Sequence, residues 1–317
     1  MSKRSLKSLP IVGAAAGLGT LALSRVLVDH DVALAPAINA ERLTFASARA
    51  GNLSYYVDSG VAGHPLVLIH SINAAPSSHE MRPLFDHYRS TRPVYSLDLP
   101  GFGFSDRSDR RYAPDLYVAA ISDFLRDIVG EAADVVALSL GSEFAASVAR
   151  DQPELVSSLT VISPSGMRDY SAQPPQNVLY KTFSFPLWSQ SFYDLLTSQR
   201  SIRYYLGMSF VGEPSQAFLD YAYATSHQPG ARRAPLYFIS GQLFNYSAVE
   251  SIYMQVDVPT LVIFDKDPNV SFDKLPDILS AKPNWQSARV APSLGLPHWE
   301  QLEQTTAALD DFWSGVG

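Results

Sequence analysis

The sequence predicts an α/β chain: a mostly parallel central sheet covered by helices on both faces, interrupted late by a helical insertion. Three observations carry this. Short runs of Val, Ile and Leu recur along the chain and are continuous rather than alternating, which fits strands buried on both faces. Helical stretches lie between them, and strand alternating with helix argues a parallel sheet with both faces covered. After Gly166 the strand runs stop for some ninety residues and aromatic side chains crowd in.

The first 40 residues differ from the rest. "MSKRSLKSLPIVGAAAGLGTLALSRVL" carries Lys3, Arg4 and Lys7, then an uncharged run from Leu9 to Leu23, and no acid precedes Asp29. That is the layout of a signal peptide, with Ala33–Ala35 as a cleavage site, or of an uncleaved membrane anchor. The run is shorter than the roughly 20 apolar residues of a full span. The basic flank would keep that end in the cytoplasm and send the body across. An organelle transit peptide also fits an acid-free, serine-bearing segment, and a Gly/Ala-rich helix packed on the domain is the structural alternative. The expectation is an exported or membrane-anchored protein.

From Leu53 the pattern is regular. "LSYYVDSG" alternates and ends in a turn; "PLVLIH" (65–70) and Val94–Leu97 are buried strand runs. "DVVALS", "LTVIS" (159–163), "VPTLVIFD" and "SARVAP" follow as further strands. Helices are expected over Tyr112–Val129, Ser142–Arg150 and the terminal "TTAALDDFWSGVG". The core is therefore assigned to residues 41–165 and 255–317, and the insertion to 166–254. Between Ser165 and Glu250 lie 17 of the chain's 36 aromatic residues. Such a segment must cover something, and a cap over the active-site end of the sheet, with surplus rings facing a pocket, fits that density.

Bulk properties exclude several classes. A net charge of −7 with 17% charged residues gives no electrostatic footprint for nucleic acid. Without cysteine there is no disulfide, thiolate metal site or cysteine nucleophile. No HExxH or clustered His/Asp spacing points to a metal. "GLGTLA" and "GFGFSD" lack the strand, spacing and downstream acid of a phosphate loop, so no cofactor is expected.

The chemistry centres on "VVALSLGSEF". A buried strand run stops at Ser139, Gly141 follows two positions later, and a small-residue helix begins. A nucleophile elbow needs this strand–turn–helix order, with small residues at −2 and +2 so that the backbones pass closely. Ala137 and Gly141 supply them. An isolated match would equally suit a helix-capping serine.

The match is not isolated. "PLVLIHS", "SLDLPGFGFSDR" (96–107), "VPTLVIFDKDP" and "LPHWEQLEQ" fall in order on the expected elements. With these motifs the chain resembles the α/β-hydrolase superfamily from about Leu53 to the C-terminus. The resemblance implies a Ser–Asp–His triad in that chain order: Ser139 as nucleophile, His298 as base and Asp267 as acid, with Asp265 and Asp169 as the alternative acids. A serine hydroxyl needs an adjacent base, and the acid fixes the imidazole tautomer. It further implies an oxyanion hole from the Leu140 amide and a second donor, Ile72 or else Asn73. His70 would brace that loop, and Glu303 follows His298 by five residues. His30, His64, His79, His87 and His227 sit in polar or loop settings and read as solvated. Serine at 139 sets the chain apart from relatives with a nucleophilic aspartate. The expected activity is hydrolysis of a hydrophobic carboxylic ester met near a membrane. A carbon–carbon bond hydrolase or cofactor-free perhydrolase is the rival within enzymes, and a non-catalytic ligand-binding member the rival outside them.

Overall fold

A computed structural model of the chain describes residues 28–169 and 173–316. The N-terminal basic–apolar segment, residues 1–27, lies outside the described residues. Eight strands form one sheet in the order β1-β2-β4-β3-β5-β6-β7-β8. They are β1 (Glu41–Ser47), β2 (Gly51–Asp58), β3 (Leu66–Ile69), β4 (Val94–Leu97), β5 (Ala133–Leu138), β6 (Val156–Ile162), β7 (Thr260–Lys266) and β8 (Trp285–Leu294). Only β2 runs against the others, pairing antiparallel with β1 and β4; every pairing from β4 to β8 is parallel. β3 and β5 are buried throughout, as unbroken apolar runs demand. β1, "ERLTFAS", is a largely exposed edge strand and carries no such run, which is why its sequence did not announce it.

Helices α1 (Arg82–Tyr88), α2 (Pro114–Phe124), α3 (Gly141–Asp151), α10 (Leu275–Ala281), α11 (Pro297–Glu300) and α12 (Leu302–Val316) accompany the sheet. Between β6 and β7 lie α4 (Gln176–Phe183), α5 (Ser189–Leu196), α6 (Gln199–Gly207), α7 (Gln216–Ser226), α8 (Arg233–Ile239) and α9 (Ala248–Ser251). Two large apolar clusters fill the core, one containing Val67, Val135 and Phe144, the other Leu68, Val136 and Leu309. Alternate residues of β3 and β5 thus feed opposite layers, as the period of 2 requires.

The topology places the site. After β3 the chain pairs β4 on one side, then crosses to lay β5 on the other. Crevices form at the carboxyl ends of strands at such a switch point. Ser71 and Ser139, at the ends of β3 and β5, flank this one.

Candidate active site

Ser139 has φ of 51°, a left-handed conformation costly for a non-glycine residue. Its amide donates to the Ile162 carbonyl at 2.9 Å, tying the turn to β6. Gly141 shows why the next small position matters: a Cβ there would overlap the His70 carbonyl oxygen. Helix α3 therefore starts against the end of β3, and Ser139 stands at the apex between strand and helix. A helix-capping role does not describe it, since α3 has no side-chain cap.

His70 braces the loops on either side. Its Nε2 accepts the Leu99 amide at 2.9 Å, so the proton sits on Nδ1, which donates to the Ser71 carbonyl at 2.6 Å. Burial lowers its pKa to about 4 and keeps it neutral. Asp98, from the D-x-P-G-x-G-x-S string, accepts the Ser78 amide at 3.0 Å and the Phe104 amide at 3.0 Å. Gly103 stands against that carboxylate with φ of 53°, where a Cβ would collide. The string is a lock between β4 and the loop after β3.

That loop is fastened by Glu80, a residue no sequence motif marked. Its Oε2 accepts the Ser71 amide at 2.9 Å; its Oε1 accepts Ser71 Oγ at 3.1 Å and Asn73 Nδ2 at 2.9 Å. Burial raises its pKa to about 7. Among the described residues, the Leu140, Ile72 and Asn73 amides donate to no other group. The Asn73 side chain is held in this network, with Oδ1 accepting the Ala75 amide at 2.8 Å, while its backbone amide, like that of Ile72, stays open as the alternative second donor.

His298 is fully buried on α11. Its Nε2 lies 2.7 Å from the Glu80 carbonyl and donates to it, and the Trp299 indole N–H donates to the same oxygen at 2.7 Å. Nδ1 is buried with no partner among the described residues. Burial lowers the pKa to about 4. Asp267 accepts the Asn269 amide at 2.7 Å and the Val270 amide at 3.3 Å through Oδ1. Its Oδ2 faces Gly295, three residues before His298, and burial raises its pKa. No hydrogen bond joins Ser139, Asp267 and His298 in this arrangement. The two alternative acids are otherwise engaged. Asp265 is paired with Arg289 at 2.8 Å and accepts the Ser293 amide; the Asp169 side chain is 80% exposed beside Lys274.

Two histidines expected at the solvated surface are interior. His79 stacks on Tyr221 at 4.6 Å and meets Phe218 and Trp299; His227 stacks on Tyr223 at 3.9 Å. His79 is covered by α7, far along the chain, while His227 closes α7 itself and folds back on Tyr223 one turn earlier. Glu143, four residues after Ser139, is also buried, with its pKa raised to about 7. It accepts Ser165 Oγ and, at 2.9 Å, the Asn245 amide. The insertion thus meets the loops at the strand ends: Tyr193 donates to the Ala74 carbonyl at 2.8 Å, and Ala234 packs on Gly101. A cleft of about 180 Å³ opens between Ser165, Phe244, Tyr246 and Asn269, next to the Ser139 turn and the Asp267 loop.

Comparison with known proteins agrees with this geometry. The model of the alpha/beta hydrolase family matches residues 66–309. The chain belongs to that family. It is 32% identical over 112 residues to 2-hydroxymuconate semialdehyde hydrolase of Pseudomonas sp. (strain CF600). That match spans 35% of this chain and about two fifths (39%) of the relative's length. Among solved structures, the hydrolase resembles a serine hydrolase involved in carbazole degradation, with a TM-score of 0.70 and 18% identity over 86% of this chain and 99% of that one. It also resembles a bacterial membrane phospholipase A, with a TM-score of 0.68 and 17% identity over 96% of each chain. Likeness at this identity is likeness of fold.

Proposed function

We propose that this hydrolase cleaves a hydrophobic carboxylic ester through an acyl-enzyme on Ser139. The observation that carries the reading is the left-handed Ser139 between β5 and α3, followed directly by the free Leu140 amide, with the free Ile72 amide in the loop after the neighbouring strand β3. Ser139 Oγ attacks the ester carbonyl, His298 takes its proton, and the two amides hold the oxyanion. The alcohol leaves with that proton. Water activated by His298 then releases the acid. For this His298 must leave the Glu80 carbonyl, shift its proton from Nε2 to Nδ1, and turn Nδ1–H toward Asp267 so that Nε2 is free to take the Ser139 proton. Trp299 still donates to that carbonyl, so the turn gives up one hydrogen bond, about 0.5–1.5 kcal/mol net. Catalytic hydrogen bonds commonly tighten only with substrate bound. The aromatic insertion and the basic–apolar N-terminus support a hydrophobic, membrane-borne substrate.

A second reading is carbon–carbon bond hydrolysis with the same nucleophile, favoured by the curated relative named for 2-hydroxymuconate semialdehyde. A panel of p-nitrophenyl esters of increasing acyl length, run beside a carbon–carbon diketone substrate, separates the two. Turnover of medium or long esters supports the proposal. Cleavage of the diketone alone transfers the assignment to the second reading, and turnover of only short, polar esters removes the hydrophobic preference.

A further inference from the structure

We infer that the outer side of the helical insertion is a docking surface for an anionic lipid bilayer. Nine large hydrophobic side chains are exposed among the described residues, and seven of them lie between Val178 and Val211. Val178, Leu195 and Tyr204 are each more than 60% exposed, and Phe185, Tyr205 and Val211 stand out beside them. Monomeric surfaces scatter such residues singly; a concentration marks an interaction site. The helices are two-sided. α5 turns Tyr193 inward and Leu195 outward, α6 turns Ile202 inward and Tyr204 and Tyr205 outward, and α4 buries no residue at all.

Two independent features identify the occupant. The first is charge. From Gln173 to Gly212 the charged residues are Lys181, Arg200, Arg203 and Asp194, and Asp194 is buried against His30 at 2.9 Å. From Val178 to Tyr205 the apolar surface therefore carries three cations and no exposed carboxylate, on a chain whose net charge is −7. Acids enter only at its Val211 end, where Glu213 is exposed and Glu300 accepts the Val211 amide. Exposed aromatic and aliphatic side chains interspersed with cations suit the headgroup region of an anionic bilayer. The second is where the chain enters. His30 is held by Asp194 on α5, Val32 donates to the His227 carbonyl at 3.2 Å, and Gln228 donates to the Val32 carbonyl at 2.6 Å. The acid-free segment before Asp29, with its basic start and uncharged run, thus joins the fold on the insertion itself. Among the described residues no helix is long and apolar enough to cross a membrane, so the docking would be interfacial.

Trp188 reports on this surface. It sits in the turn between α4 and α5, its ring 4.5 Å from Phe185 and its indole N–H donating to the Thr182 carbonyl. The test uses the full chain with phosphatidylcholine–phosphatidylglycerol vesicles carrying brominated acyl chains, and Trp188→Phe to isolate that residue's emission. The expected result is bromine quenching of the Trp188 component on binding. Val178→Ser/Leu195→Ser/Tyr204→Ser should abolish that quenching and weaken binding at least tenfold, with unchanged circular dichroism. A vesicle-bound chain whose Trp188 is unquenched would mean that the N-terminal segment alone holds it, and overturns the proposal. So does a folded triple variant that binds and quenches like the parent. Self-association of the parent that the triple variant abolishes would reassign the surface to a second copy. The readout is fluorescence, so its failure leaves the chemistry assigned to Ser139 untouched.

Discussion

Glu80→Gln is the most informative perturbation of the candidate site. The carboxylate receives three donors from two residues of the oxyanion loop, and it offers only acceptors to them. An amide cannot. If its oxygen takes the Ser71 amide, its NH₂ faces Asn73 Nδ2; if its oxygen takes Asn73, its NH₂ faces the Ser71 amide. Asn73 cannot flip in response, because its Oδ1 already accepts the Ala75 amide. One buried donor is left unpaired in either case, at about 1–3 kcal/mol. Charged to the position of the Ile72 amide, that is roughly a 10- to 100-fold loss in kcat/KM, since about 1.4 kcal/mol is tenfold. The fold should survive, because the side chain's volume is kept and the Glu80 carbonyl still holds Trp299. Protonation of Glu80 weakens the same network in milder form, because one oxygen then carries a hydrogen and the charge that strengthens all three bonds is lost. Its folded pKa is raised to about 7, so the proton stays on through mildly acidic pH and leaves as pH rises past neutrality. Wild-type kcat/KM should therefore climb through about pH 7, and the Gln variant should lack that limb. The His298 limb lies lower, its pKa being lowered to about 4 in the free enzyme. The assay is a pH–rate profile of both proteins on a soluble ester. A Gln variant that keeps both the parent rate and the limb near pH 7 refutes the reasoning.

Three further outcomes follow from the same contacts. Asp267→Asn should lower kcat by several orders of magnitude while leaving the melting temperature nearly unchanged, because Oδ1 keeps its two backbone donors; Asp265→Asn should do the reverse by weakening the Arg289 pair. Equal losses in kcat for the two would withdraw Asp267 as the acid. Glu143→Gln should gain stability relative to the parent as pH rises. The folded pKa of Glu143 is raised to about 7, so its contribution is intact below the unfolded value near 4.5 and is lost on rising through 7. Urea unfolding at pH 5 and pH 8 should differ by up to about 3 kcal/mol between the two proteins, and an unchanged difference counts against a buried ionised Glu143. Ser163→Gly should be neutral or stabilising by up to about 1 kcal/mol. Ser163 has φ of 43° and a buried hydroxyl without a partner among the described residues, and a clear drop in melting temperature would show that the hydroxyl is satisfied.

Much of this fold was legible because its middle strands are buried on both faces. Val94–Leu97 and the runs around Val135 and Leu261 could be read as strands from composition alone. β1 could not, since an exposed edge strand has no apolar run, nor could short helices such as α1 and α10. The elbow was legible for a different reason: turn geometry constrains its own neighbours, so Ala137, Ser139 and Gly141 carry the information locally. Glu80 and Glu143 show the opposite case. A carboxylate in "SSHEMRP" or "LGSEFAAS" reads as solvated, and only contacts with Ser71, Asn73, Ser165 and Asn245 make it interior. The same holds for His79, whose partners Tyr221 and Trp299 lie far along the chain. The state of His298 was also invisible, because its bond to the Glu80 carbonyl joins residues 218 apart in sequence.

The central claim is that Ser139 is a nucleophile, and covalent labelling tests it most directly. The full chain and Ser139→Ala would be treated with a fluorophosphonate, then weighed intact and digested to locate the adduct. The account predicts a single phosphonyl group on Ser139 in the parent and none in the variant. A parent that stays unlabelled, or a variant labelled to the same extent, would contradict it.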